Sequence, residues 1–253
     1  MGRSFVKNVT LSIDVEQDCP PFLQSTRGVQ EALPPLLDLL DNQGIKATFF
    51  TTGQMAERFP ALVQEILFNG HELGCHGYSH RRFDKLCPDA AREEMVMARR
   101  ILRQFGAPVI SFRAPNLRFP EAYLRLLEEQ RFRIDSSIAR YKPPYAQKPL
   151  RVGNITRIPV SLTSSVLRLP AGLLRRWLVR FDDLVLFAHP WEFIDMSKTG
   201  VRLDCRFNTG AGALRNLRAI IEHLKSLEYR FVVMAERLSL LQSQATARGE
   251  QNK

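Results

Sequence analysis

Between Asn8 and Asp14 apolar residues take every second place, as Val9, Leu11 and Ile13. That period predicts a first strand ending at a carboxylate. Val29, Leu33, Leu36, Leu37 and Leu40 then recur at helical spacing, Gly44 follows as a stop, and Pro34-Pro35 places the well-formed part of that helix late. The same reading predicts strands over 45–51, 72–76, 109–113, 132–136, 154–160, 184–189 and 229–234, and helices over 59–69, 121–130, 173–181, 214–227 and 235–242. A long helix starts at Pro88, runs through Met95, Ile101, Leu102 and Phe105, and stops at Gly106 and Pro108. Strands and helices alternate throughout, the pattern of parallel βαβ units in a barrel or a doubly wound sheet. The expectation is one α/β domain over 1–242 followed by a polar, loose tail over 243–253.

Composition narrows the class only slightly. The chain has 253 residues, 45% hydrophobic and 25% charged, ordinary for a globular protein. It contains no apolar run long enough for a spanning helix and begins without a signal-like apolar core, so the expected location is cytoplasmic. Cys19, Cys75, Cys87 and Cys205 form no C-x-x-C pair and read as reduced thiols. Cys75 adjoins His76, but neighbours on a strand point to opposite faces, so a core thiol fits better than a ligand. The net charge of +10 is local: residues 140–181 hold nine Lys and Arg and no Asp or Glu. A local basic patch predicts an anionic partner near one face.

The chemistry gathers at predicted strand ends. Strand one ends Ser12-Ile13-Asp14-Val15-Glu16, strand three runs into His76-Gly77-Tyr78-Ser79-His80, another ends Ser111-Phe112-Arg113-Ala114-Pro115, and a late one ends Phe187-Ala188-His189-Pro190-Trp191. Each has a bland explanation: a turn carboxylate, a chance surface pair, a salt-bridge arginine, a satisfied core histidine. In parallel α/β folds, however, the carboxyl ends of strands share one rim, where ligands bind. Two His and one carboxylate leave an open position on zinc, the pattern of a hydrolytic site. A second carboxylate can take a proton from water and a separate His can protonate a leaving group, so this set of parts suits cleavage of an acyl bond.

These blocks resemble the polysaccharide deacetylases of the NodB-homology type over nearly the whole chain, from about Val9 to about Met234. His76-Gly77-Tyr78-Ser79-His80 is similar to the family's metal-binding motif, Ser111–Pro115 to its R-x-P motif, Leu186–His189 to its final motif, and Asp135-Ser136-Ser137 also has the family's look. The resemblance implies a distorted (β/α) barrel of about seven parallel strands and metal-dependent deacetylation of N-acetyl sugars. Carried over by position, it makes Asp14 the base, His189 the general acid, Arg113 the residue that orients the base, and His76 and His80 metal ligands. Most members have adjacent carboxylates in the first motif. Here Val15 intervenes, so Glu16 is assigned as third ligand, with Asp18 as the fallback. Pro115, Trp191 and Glu192 are expected to line the substrate. The family's supporting Asp and Trp for the arginine have no clear counterpart. The implied cofactor is a divalent metal, zinc first, with cobalt, nickel and manganese as other candidates.

The expected partner is an amino-sugar glycan, free or lipid-phosphate-linked. Within 166–181, Val166, Leu169, Leu173, Leu174, Trp177, Leu178 and Phe181 recur at helical spacing opposite Arg175, Arg176 and Arg180. This is the signature of a helix on anionic lipid, and equally of a barrel helix docked by its apolar face. The first reading would place the protein peripherally on the inner membrane face. A lipid-linked substrate would suit deformylation, and Gln24–Val29 bears some likeness to the aminoarabinose-lipid deformylases of this superfamily. No nucleic-acid motif accompanies the charge. Other readings are a catalytically silent, glycan-binding barrel and a metal-free amidohydrolase for small nitrogen compounds; the retained His pair argues against the latter.

Overall fold

The computed structural model describes residues 7–143, 145, 147–178 and 180–251. Met1–Val6, at the start of the expected domain, Val179 of the expected lipid-facing stretch, and Asn252 and Lys253 of the expected tail lie outside the described residues. In chain order the elements are β1 (Asn8–Val15), α1 (Leu33–Asn42), β2 (Thr48–Thr51), α2 (Gly53–Arg58), α3 (Pro60–Phe68), β3 (Glu72–Cys75), α4 (Pro88–Arg103), β4 (Ser111–Phe112), α5 (Leu124–Glu129), β5 (Ile134–Asp135), β6 (Leu150–Val152), β7 (Ile155–Arg157), α6 (Ala171–Leu178), β8 (Asp183–Ala188), α7 (Leu203–Arg206), α8 (Ala211–Ser226), β9 (Arg230–Phe231) and α9 (Met234–Gln251).

Among the described residues the strands form one nine-stranded sheet in the order β6-β7-β5-β4-β3-β2-β1-β8, with β9 beside β1. Every pairing is parallel except β6 with β7. Setting aside the antiparallel β6, and β9, which pairs with β1 off the main order, leaves seven parallel strands, as expected. The sheet curls until Ser161, just beyond β7, donates its backbone N–H to the Val185 carbonyl of β8 at 2.8 Å. The barrel is therefore distorted and only narrowly bridged at this seam.

The two-residue period explains how both faces of the sheet are filled. On β1, Val9, Leu11 and Ile13 pack outward with the leucines of α1 and with Leu217, Ile220 and Leu224 of α8. The alternate residues Thr10, Ser12 and Asp14 are also buried. They serve a polar interior in which Ser12 Oγ donates to the Leu186 carbonyl and accepts from Arg113. Leu184 and Leu186 of β8 join the outer cluster, while Val185 and Phe187 join an inner one with Phe50.

Three expectations change. The first helix begins as a π-type turn over Gly28–Ala32 and becomes α-helical only at Leu33. Its Gly28 is obligatory, because a Cβ there would meet the backbone nitrogen of Trp191 at 2.4 Å. The closing helix continues to Gln251, through residues expected to form a loose tail. The helix expected over 173–181 is α6, which starts at Ala171 and ends at Leu178, and the helically spaced residues before it fall in a 3-10 turn over Ser164–Arg168.

Candidate active site

Glu16, His76 and His80 converge beyond the carboxyl ends of β1 and β3. Their ligand atoms lie within 4.8 Å of one another. Glu16 Oε2 is 3.2 Å from His76 Nε2 and 2.6 Å from His80 Nε2. The opposite nitrogen of His76, Nδ1, is 2.8 Å from the Arg113 carbonyl oxygen. A carbonyl only accepts, so Nδ1 carries the proton. That contact leaves Nε2 as the nitrogen that meets Glu16 Oε2, the orientation a metal-binding imidazole takes when its other nitrogen is held by a carbonyl. The donor set of two imidazoles and a carboxylate thus fits a divalent metal.

The loop that presents the two histidines is held from behind. Gly77 and His80 both have left-handed backbones, φ 76° and 61°. A Cβ on Gly77 would press on the Phe83 ring at 3.3 Å. Buried Glu94 of α4 accepts from the Tyr78 and Ser79 backbone N–H groups and from Ser79 Oγ, at 3.0, 2.9 and 2.5 Å. No sequence signal singled out Glu94, because an acidic residue in a helix normally reads as solvated. Cys75, one residue before His76, turns away into a second core cluster, where burial pushes its thiol up to about 12.

Asp14, two residues before Glu16 and on the same side of the strand, receives Arg113 Nη1 at 2.6 Å. Arg113 is fully buried. It also donates to Ser12 Oγ (2.8 Å) and to Ser136 Oγ and the Ser136 carbonyl (3.0 and 3.3 Å). Its guanidinium lies 4.2 Å from the Phe50 ring centroid and 5.4 Å from that of Phe187. Serines and phenylalanines thus support the arginine where a carboxylate and a tryptophan were sought. Asp135 instead accepts from Arg157 and from the Ser137 backbone, and Ser137 Oγ accepts from Ala114 N.

His189 stands across from both carboxylates, its Nε2 3.8 Å from Glu16 Oε1 and 4.0 Å from Asp14 Oδ2. Nδ1 pairs with Glu192 Oε1 at 2.8 Å. Burial disfavours its charged form, but Glu16, Glu192 and Asp14 outweigh burial and raise the imidazole to about 9. Burial likewise pushes the Glu16 carboxyl up. Charge from His80 and His189, with hydrogen bonds from His76 and His80, reverses that and holds it well below the usual carboxylate range.

Three of the expected residues have partners within the protein itself. Glu192, expected at the substrate, is wholly buried; it orients His189 and faces Arg168 Nε at 3.5 Å. Trp191, also expected there, is buried, stacks on His189 at 4.8 Å between centroids and donates Nε1–H to Glu16 Oε1 at 3.2 Å. Asp18, the fallback ligand, is occupied elsewhere, accepting from Ser25 Oγ and the backbone of Arg27 and Gly28 at 2.6–2.9 Å. Pro115 is buried in the 3-10 turn that follows Arg113. The basic patch is also smaller than its sequence suggests. Arg168 is buried among the carbonyls of Asp204, Cys205 and Phe207, Arg157 pairs with Asp135, and Arg140 pairs with Asp183.

The family model described as polysaccharide deacetylase matches residues 7–134, from the first strand through Arg113 to β5. The chain belongs to the polysaccharide deacetylase family. A peptidoglycan-N-acetylglucosamine deacetylase of Bacillus cereus is 36% identical over 105 residues, covering 41% of this chain and 38% of that protein. This polysaccharide deacetylase family member thus matches only about two-fifths of that curated relative's length. A crystal structure of a candidate polysaccharide deacetylase from Mycobacterium smegmatis shares the fold at TM-score 0.76 and 19% identity, covering 97% of this chain and 93% of that one. The Bc1960 peptidoglycan N-acetylglucosamine deacetylase, crystallised with an N-oxidanyl-benzamide, matches at TM-score 0.60 and 25% identity, covering 90% and 86%.

Proposed function

We propose that this protein is a metal-dependent hydrolase that removes the N-acetyl group from an amino sugar in a glycan. The observation that carries the reading is the convergence of Glu16, His76 and His80 within 4.8 Å, with Asp14 and His189 beside them. A divalent cation on these three residues would supply Lewis-acid polarisation of the acyl group. Zinc suits a two-imidazole, one-carboxylate set that leaves a position open. Asp14, held in place by Arg113, takes the proton of the attacking water. His189, charged and held by Glu192, gives a proton to the departing sugar nitrogen. A groove of about 490 Å³ on the same rim, lined by Leu117, Arg118, Phe119, Ser137 and Lys142, offers space for flanking sugars.

A narrower reading has the glycan lipid-phosphate-linked and the protein peripheral on the inner membrane face. Leu173 (69% exposed) and Trp177 (37%) stand out from α6 beside exposed Arg175 and Arg176, which supports it. The deciding experiment combines metal analysis of the purified protein with assay of acetate and formate release from free and lipid-linked N-acyl amino sugars. Acetate release that needs the bound metal is the expected result. A metal-replete protein that releases neither acid would leave the silent, glycan-binding barrel.

A further inference from the structure

A second cavity, of about 890 Å³, opens at the other end of the barrel. Asn8 and Asp183, the first residues of β1 and β8, line it, whereas the metal cluster lies past the last residues of β1 and β3. The six-residue β8 separates the two ends, roughly 20 Å at strand rise. The volume is that of a small-molecule site. Its apolar wall comes from Leu162 and Val166, from Trp177 and Phe181 at the end of α6, and from Leu240 and Leu241 of α9.

Charge sits at the edge of this wall. Arg140, Lys148 and Arg237 stand against Asp182 and Asp183. Asp183 is neutralised by two of these cations, through Arg140 Nη2 at 3.5 Å and through Arg237. Arg237 is also committed to Thr10 and the Leu184 carbonyl. Arg140 also donates Nη1 to the Asp183 carbonyl at 3.2 Å but keeps a buried Nε with no hydrogen-bond partner among the described residues, and Lys148 is exposed. An apolar slot beside the exposed Lys148 and the free Nε of Arg140, opening next to the exposed indole of Trp177, is complementary to a hydrocarbon chain ending in an anion.

We propose that this cavity binds the chain of a single-chain anionic membrane lipid, with Arg140 and Lys148 at its headgroup. None of the three residues of the metal cluster lines this cavity, so the catalytic reading and this one are tested separately.

The test uses the full chain and dodecyl phosphate below its micelle concentration, with dodecanol and inorganic phosphate as separate arms. Binding is read by calorimetry and by Trp177 fluorescence, with Trp177→Phe as the silent control. One dodecyl phosphate per chain is expected. Arg140→Gln should weaken binding about tenfold, the worth of one charge-assisted contact. Leu241→Trp and Val166→Phe, each filling the slot, should abolish it, while both retain the parent melting profile and acetate release from a soluble chito-oligosaccharide. Non-saturating uptake, unchanged binding by both folded slot-filling variants, or displacement by equimolar inorganic phosphate would overturn the proposal.

Discussion

His76 Nε2 faces Glu16 Oε2 at 3.2 Å while the ring's proton is committed to the Arg113 carbonyl on the other side. His80 Nε2 reaches the same oxygen at 2.6 Å. Two imidazole nitrogens and a carboxylate oxygen this close together suit a cation held among them. Glu16→Gln should therefore keep the fold and lose stoichiometric metal. The expected fall in affinity exceeds about 100-fold, since changes outside the ligand shell alone cost roughly 10–100-fold. Metal analysis after dialysis checks it; full occupancy in Glu16→Gln, His76→Ala and His80→Ala alike would remove the site.

Asp14 is the only carboxylate facing Arg113 at hydrogen-bond distance among the described residues, and both are buried. Asp14→Asn should retain metal but lower turnover about 10²–10⁴-fold, the range for a lost general base. It should also destabilise the fold by roughly 3–5 kcal/mol, because Arg113 is left as an uncompensated buried charge. Acetate release and urea unfolding measure the two effects separately, and turnover at the parent rate would exclude Asp14 as the base.

Glu192 acts on His189 through the Nδ1 contact at 2.8 Å. Its negative charge is one reason the imidazole is raised, so Glu192→Gln should lower the His189 pKa. A general acid that loses its proton earlier loses activity earlier. The alkaline limb of the pH–kcat profile should move to lower pH, with KM little changed. An unmoved limb would mean that Glu192 serves packing alone.

His71 carries a second pH dependence, of stability rather than catalysis. Burial, with Lys46 nearby, depresses its imidazole from 6.5 to about 4. Its Nδ1 accepts the Ala47 N–H at 3.2 Å, so protonation would break that bond. The unfolded chain binds the proton first; this contribution is intact above pH 6.5 and is lost as pH falls toward 4. Between pH 7 and pH 5 the loss should be roughly 1–2 kcal/mol. His71→Gln keeps an acceptor but does not titrate, and should flatten that part of the stability curve. A wild-type slope retained in the variant would place the titration elsewhere.

The face of α6 gives a binding prediction. Changing Arg175, Arg176 and Arg180 together to Gln should weaken binding to anionic vesicles by about 100-fold, at about 1 kcal/mol per basic residue near the surface. Neutral vesicles should bind neither form. Failure of the parent protein to bind anionic vesicles would leave α6 as a barrel helix with a solvated outer face.

The parallel strands, their period of two, and the placing of Asp14, Glu16, His76, His80, Arg113 and His189 at strand ends were all legible in the sequence. Each depends on local spacing, and one topological rule then puts carboxyl ends on a common rim. Where the chain merely continues a local pattern, as from Val166 to Phe181, the same logic overreached. Pro170 stands between the 3-10 turn and α6, which starts at the next residue.

What tertiary structure decided was which polar group answers which. Glu94 and Arg168 carry no sequence signal of burial, and Ser136 none of its partner, yet they hold the histidine loop, Glu192 and Arg113. Asp18 looks like a ligand two residues beyond Glu16, yet a turn takes all of its visible partners. A residue's chemistry and its place on a strand are local properties. Its hydrogen-bond partner is set by elements distant in sequence, and a buried polar group is fixed by that partner rather than by its neighbours in the chain.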